Sequence, residues 1–219
     1  MIIIPISLLM LLILTFSFLA KREIIVKGTG IVVPKEKVSV IQPLSTIIIK
    51  KNYLNEGKFV HKQDTLFIYK DLNSSSKLQK ITAPKSGIIH INENYKNLKY
   101  IPNGTQIAEI YPILKDENYV QIRSYISAAD ISSIKKGQQI KFKIARNVPK
   151  PIIITGTIKN ISIAPILIDK NNVFGITSIA KISNLNSKLL KYGMVGSTSI
   201  IIGEKTFFNY YIDKLLNRM

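Results

Sequence analysis

The sequence predicts a mainly β protein, with one apolar helix ahead of the strands and a short amphipathic helix after them. Three observations carry that prediction. Between Lys21 and Val120 apolar residues alternate with polar ones over short runs, the two-residue period of a strand, and no long helical period interrupts them. Gly, Pro and Asn punctuate those runs as turn residues do. Two similar half-motifs then follow each other between residues 37 and 113.

Residues 2–20, IIIPISLLMLLILTFSFLA, carry no charge, and 13 of these 19 residues are Ile, Leu or Phe. As a helix the run would be about 28 Å long, near the thickness of a hydrocarbon core. Its insertion is favourable by about 5 kcal/mol at most. Residues 1–20 are therefore expected to form a transmembrane anchor. A cleaved signal peptide would need basic residues ahead of the run and small residues at −3 and −1, whereas cleavage after Ala20 leaves Phe18 at −3. Lys21 and Arg22 follow the run, and the positive-inside rule alone would hold the large domain in the cytoplasm. That rule weakens for long translocated domains, so the flanking charges leave the orientation open.

Residues 21–36 read as a linker with the first strand or strands, IIVKGTGIVV at 24–33. KVSVIQ (37–42), TIIIKKNYL (46–54) and TLFIYK (65–70) continue the strand pattern. Within NEGKFVHKQDTLFIY (55–69), Gly57 permits a tight turn after Glu56, Val60 enters the core, Asp64 can bond the next turn, and Leu66 and Ile68 resume an inward face. The order resembles the first half of a lipoyl or biotinyl-like domain, EGxxVxKGDxL, with Gln63 where that pattern has Gly. The second half is ITAPKSGIIHI (81–91) and YIPNGTQIAEIYPI (100–113): Ala83, Pro84 and Gly87 match the partner motif APxxGxI, and Gly104 mirrors the turn of the first half. Each half alone leaves an apolar sheet face open, so the halves 37–70 and 81–113 are expected to close into one sandwich.

The connector DLNSSSKLQK (71–80) is polar, and Lys77 and Lys80 lack the Met-Lys-Met setting of a modified carrier lysine, so it reads as a solvated loop with no cofactor. A β-barrel is expected over 114–203, from YVQIRSYIS (119–127), QIKFKIAR (139–146), PIIITGTIKNI (151–161), VFGITSIAKI (173–182) and STSIII (197–202). Ser127 to Lys136 reads as a short helix capped by Ser127 and Asp130 and ended by Gly137. In 204–219 the spacing of Phe208, Tyr211, Ile212 and Leu215 predicts an amphipathic helix.

Composition narrows the chemistry. The chain has 219 residues, a formal charge of +18, no Cys and two His. Absent Cys excludes disulfides, thiolate metal sites and a Cys nucleophile, and His61 with His90 make neither a multi-His metal site nor a triad. No catalytic, cofactor or metal constellation stands out, and an enzyme is not expected. Nucleic-acid binding is disfavoured because only four of the 31 basic residues are Arg, the side chain suited to bidentate phosphate and base contacts. All charge lies after Ala20, on strands that alternate Lys with Ile, which suits an anionic membrane surface or an acidic partner.

Taken in order, GTGIVVPKEKVSVIQ, NYLNEGKFVHKQDTL, ITAPKSGIIHI, YIPNGTQIAEIYP, ISAADISSIKKGQQIKFKI and LKYGMVGSTSIIIGEKT resemble a membrane fusion protein of the haemolysin-secretion (HlyD) type. The likeness is greatest to the bacteriocin secretion accessory proteins of Gram-positive bacteria. It implies a non-catalytic adaptor of the cell membrane, with its large domain on the extracytoplasmic side. The implied partner is an ABC exporter of a peptide bacteriocin, of the peptidase-containing kind, with self-association into a ring or small oligomer. Two departures stand out: about ten polar residues replace the long coiled-coil hairpin that usually separates the lipoyl halves, and the sequence starts at the anchor, without the usual basic segment. Two other classes remain: a biotin or lipoate carrier subunit, and an anchored protein that binds anionic surfaces electrostatically.

Overall fold

The computed structural model describes residues 3–72, 77–95, 98–114, 118–145, 151–168, 170–183 and 189–216. The chain forms two compact units, one of Met1–Val33, Gln121–Lys181 and Gly193–Met219, the other of Pro34–Val120 and Ile182–Tyr192.

The first unit begins with helix α1, Ile3–Leu19. Its large side chains, from Ile4 to Leu19, are exposed around the whole circumference. Two of its hydroxyls turn back on their own helix: Ser7 Oγ donates to the Ile4 carbonyl at 2.9 Å and Thr15 Oγ1 to the Leu12 carbonyl at 2.9 Å. The anchor expected over 1–20 is only partly matched. Seventeen residues make about 26 Å, and among the described residues no helix is long and apolar enough to cross a membrane.

Strand β1 (Lys21–Val33) follows after Ala20 and is a full member of the next sheet; it contains the strand expected at 24–33. The sheet runs β10 (Tyr119–Ser127), β1, β15 (Val195–Thr206), β11 (Gln139–Ile144), β12 (Ile152–Ile161), β14 (Asn171–Lys181), and β10 pairs with β14 to close a six-stranded barrel. β13 (Ile166–Ile168) hangs on the outer edge of β14. Alternation holds where the sequence shows it most cleanly: Val120, Ile122, Ser124 and Ile126 of β10 point inward, as do Ile140, Phe142 and Ile144 of β11. Phe142 is fully buried because its neighbours are small: a Cβ on Gly196 would lie 2.8 Å from the Phe142 ring.

The helix expected from Ser127 to Lys136 is a correction. It shrinks to one 3-10 turn at Ile131–Ser133, because Ser127 belongs to β10 and the Asp130 side chain caps nothing. Ile134 nevertheless belongs to the barrel core and caps that turn, while Gly137, at φ +89, lies in the separate turn Lys135–Gln138 ahead of β11. Helix α2 (Phe207–Leu215) is capped by Thr206, whose hydroxyl accepts from the Asn209 amide.

The second unit stacks two four-stranded sheets. One has the order β2 (Ser39–Ile41), β9 (Ala108–Tyr111), β7 (Gly87–Ile91), β4 (Phe59–Val60). The other has the order β6 (Leu78–Thr82), β5 (Thr65–Asp71), β3 (Ile47–Asn52), β8 (Tyr100–Ile101). Exchanging β2–β5 for β6–β9 converts one order into the other, so the halves are related by a pseudo-twofold and neither sheet exists without both. Ile47, Leu66, Phe67, Ile89, Ile101 and Ile107 fill the space between.

Two expectations change here. The connector is not all loop: Asp71 ends β5 and Leu78–Lys80 open β6, a hairpin with Lys70 opposite Leu78. Residues 73–76 of the connector lie outside the described residues. Along β5 both Leu66 and Phe67 are buried while Ile68 is half-buried, because the register with β6 shifts between Thr65 and Phe67 and turns two successive side chains to the core.

Candidate functional site in the paired half-motifs

The motif residues meet where the halves interlock. In the first half Glu56 and Gly57 make the turn ahead of β4, and Gly57 takes φ +72 with open space around it. The Glu56 carboxylate reaches across to the second half, accepting from the Ile91 amide at 2.6 Å and meeting His90 Nδ1 at 3.0 Å. Gly57 N donates to the Ile89 carbonyl at 2.9 Å and Ile89 N to the Lys58 carbonyl at 3.0 Å. One acidic side chain and a short backbone ladder thus stitch the first turn onto β7. Val60 and Leu66 are buried in the shared core.

Asp64 acts locally: its carboxylate accepts from the His61 amide at 2.8 Å, capping the turn His61–Asp64. Within that turn Gln63 has φ +75, the left-handed conformation a glycine adopts without strain. Its amide donates to the Ala83 carbonyl at 2.8 Å, and the Ala83 amide donates to the Asp64 carbonyl at 2.9 Å. The pseudo-twofold repeats this: Gly104 has φ +73 and its amide donates to the Pro43 carbonyl at 2.9 Å. Ala83 is 1% exposed, with Pro84 beside it at the surface.

Gly87 is needed for a different reason from Gly57. A side chain there would place its Cβ 2.4 Å from the Tyr111 carbonyl oxygen, so β7 and β9 could not approach. Its φ is not positive, and the constraint is space.

Sequence reasoning did not find Tyr111, which organises the rim of the same sheet. Its hydroxyl donates to Glu109 at 2.7 Å and its ring stacks on Tyr192 at 5.7 Å. Burial, and then the hydrogen bond and charge of Glu109, push the Tyr111 pKa up to about 12. The two-residue spacing of Glu109 and Tyr111 on one strand face was the available signal.

The hairpin where a carrier lysine would stand is built differently. Lys80 lies within β6 opposite Ile68, a ladder position rather than a tip. Among the described residues no group of three or more His, Asp or Glu side chains is placed to hold a metal ion. The arrangement is a rigid interlocked sandwich with polar turns, suited to presenting surfaces.

Family profiles agree with this geometry. The LcnD-like barrel-sandwich hybrid domain matches residues 37–112, and the LcnD-like C-terminal domain matches residues 116–205. A protein of Lactobacillus acidophilus named only as uncharacterized is 30% identical over 218 residues, 99% of this chain and 89% of its own. The chain belongs to the LcnD-like family. The lactococcin A secretion protein LcnD-like of Lactococcus lactis subsp. lactis is 39% identical over 155 residues, 68% of this chain and 33% of its own length. The present chain thus spans about a third of that relative. Crystalline MacA from Actinobacillus actinomycetemcomitans superposes with a TM-score of 0.64 at 15% identity, over 86% of this chain and 81% of its own, which shows a shared fold. The family resemblance drawn from the ordered motifs is borne out.

Two measurements test the LcnD-like site. Gln63→Gly should raise stability by about 0.5–1 kcal/mol by relieving the left-handed backbone, while Gly87→Val should lower it by about 3 kcal/mol. Unfolding of the full chain in detergent reads both, and a Gln63→Gly variant less stable than the parent would contradict the turn assignment. Because the folded Tyr111 pKa lies above the ordinary 10, its contribution is complete below about pH 10 and is lost as pH rises through about 12. The Tm difference between the parent and Tyr111→Phe should therefore shrink from about pH 9 to about pH 12. A constant difference would show that the hydroxyl does not stay protonated preferentially in the fold.

Proposed function

We propose that the chain is a non-catalytic adaptor of the cell membrane that assists an ABC exporter in secreting a peptide bacteriocin. The observation that carries this reading is the match of both LcnD-like domains to one chain, together with relatives that include named lactococcin A and mesentericin Y105 secretion proteins. The lipoyl-like motif, with Glu56, Gly57, Val60, Asp64, Leu66, Ala83, Pro84, Gly87 and Gly104, serves as scaffold. It holds two sheets at fixed register so that their outer surfaces face partners.

The domain scheme proposed is a membrane-embedded segment at 1–20, a lipoyl-like domain at 37–113, a barrel at 114–203 joined by β1, and a terminal amphipathic helix. Helix α1 enters the bilayer as a single pass. Its apolar circumference and the internally bonded hydroxyls of Ser7 and Thr15 support this, since a hydroxyl bonded to its own backbone is not left unpaired in lipid. The strand domains then stand on the extracytoplasmic side and self-associate around the exporter, of the peptidase-containing kind. The ATPase supplies the energy, and this chain supplies a path outward.

Deleting the gene in a producing strain should abolish or strongly reduce peptide export while leaving peptide synthesis intact, with restoration by the plasmid-borne gene. Undiminished peptide in the medium of the deletion strain would overturn the proposal.

A further inference from the structure

Helix α2 leaves the barrel beside α1. Lys21 and Thr206 are register partners at the end of the β1–β15 ladder, and the Phe207 amide donates to the Ala20 carbonyl at 3.1 Å. Three contacts then fix how α2 lies. The Phe208 ring stacks on Phe18 of α1 at 4.1 Å, the Arg22 guanidinium sits 4.4 Å from the Tyr210 ring centre, and Lys205 Nζ meets Asp213 Oδ2 at 2.6 Å. The helix therefore crosses the barrel end at the level where α1 finishes, with Tyr210 and Asp213 turned to the barrel.

At about 100° per residue, Phe208, Tyr211, Ile212, Leu215 and Leu216 share one arc, while Asn209, Tyr210, Asp213 and Lys214 share the other. Apart from Phe208, which packs on Phe18, the first arc is open among the described residues: Leu215 is 81% exposed, Leu216 54% and Tyr211 53%. A nine-residue helix with its apolar arc in water gains little from burial and is marginal on its own.

We propose that α2 is an interfacial helix whose Phe208–Leu216 arc lies at the headgroup and acyl-chain boundary of the bilayer. The inference rests on the reading of α1 as membrane-embedded. Continuity selects lipid as the occupant: Phe208 touches Phe18, so whatever covers the arc also meets the exposed end of α1. Charge and aromatic placement agree. Lys214 is exposed on the polar arc, where an ammonium group can meet lipid phosphates, and Tyr211 is exposed on the apolar arc, where amphipathic rings collect; Lys21 and Lys205 are paired with Glu204 and Asp213, and Arg22 rests on the Tyr210 ring. The two helices would act together, α1 holding depth and α2 setting the barrel flat against the surface.

The chain has no Trp, so single-Trp variants report one position each. Phe16→Trp probes α1, Tyr211→Trp the apolar arc and Asn209→Trp the polar arc, each in the full chain reconstituted in phosphatidylcholine and phosphatidylglycerol vesicles. Lipid brominated near the headgroup end of its acyl chains should quench Tyr211→Trp at least about threefold more than Asn209→Trp, with blue-shifted emission. Quenching of Phe16→Trp by deeply brominated lipid, with Tyr211→Trp emitting as in water, would overturn the α2 proposal alone. Tyr211→Trp shielded from both brominated lipid and aqueous iodide would also overturn it, naming a protein such as a second copy as the occupant. Absence of quenching at Phe16→Trp and Tyr211→Trp alike would overturn the membrane reading with it.

Discussion

The antiparallel ladder between β1 and β15 is the constraint on which the first unit depends. Its pairs run from Lys21↔Thr206 to Ile31↔Val195, joining residues at opposite ends of the sequence. Closing so long a loop costs chain entropy that grows only slowly with length, and the ladder, with one register shift between Ile24 and Ile25, offsets it with backbone bonding and a strip of core. Without it the barrel would have two open edges, and neither Phe142 nor Ile200 would be enclosed. The same ladder brings α1 and α2 out of the barrel at one place, and the contacts of Phe18 with Phe208, Arg22 with Tyr210 and Lys205 with Asp213 then fix how α2 lies.

The second unit solves a related problem by repetition. Each half-motif makes four short strands, too few and too short to be stable alone. Interlocking through Glu56, Gly57 and the pair of left-handed turns at Gln63 and Gly104 gives each sheet strands from both halves. The pattern places the cost of strain at one residue, Gln63, where the equivalent Gly104 has none.

Much of this was legible in the sequence because alternation survives wherever a strand has one wet face: β10 and β11 follow their patterns residue by residue. The family likeness was legible because Glu56-Gly57, Asp64, Ala83-Pro84, Gly87 and Gly104 keep their order and spacing. What escaped has physical causes. β4, β8 and β13 span only two or three residues each, below the length at which periodicity exists. The register shift that buries both Leu66 and Phe67 breaks a period that local sequence implies. The helix at Ser127–Lys136 failed because capping residues signal only the start of a turn, and β10 claimed Ser127 for its ladder. Gly87 was legible as a motif residue, but the reason for it, the space β9 needs, depends on a strand distant in sequence. The stacking of Phe18 on Phe208 could not be read from either helix by itself.

The motif residues of the doubled sandwich make the turns and cross-contacts that join its two halves. The proposed adaptor role is one of being in place, so that proposal stands or falls on a physical partner. Purification of the tagged full chain from bacteriocin-producing cells, after cross-linking and mild detergent extraction, tests this most directly. The account predicts that the ABC exporter is recovered with it, in a complex containing more than one copy of the chain. Recovery of the chain without the exporter, while the exporter isolated separately moves peptide at full rate in its absence, would contradict it.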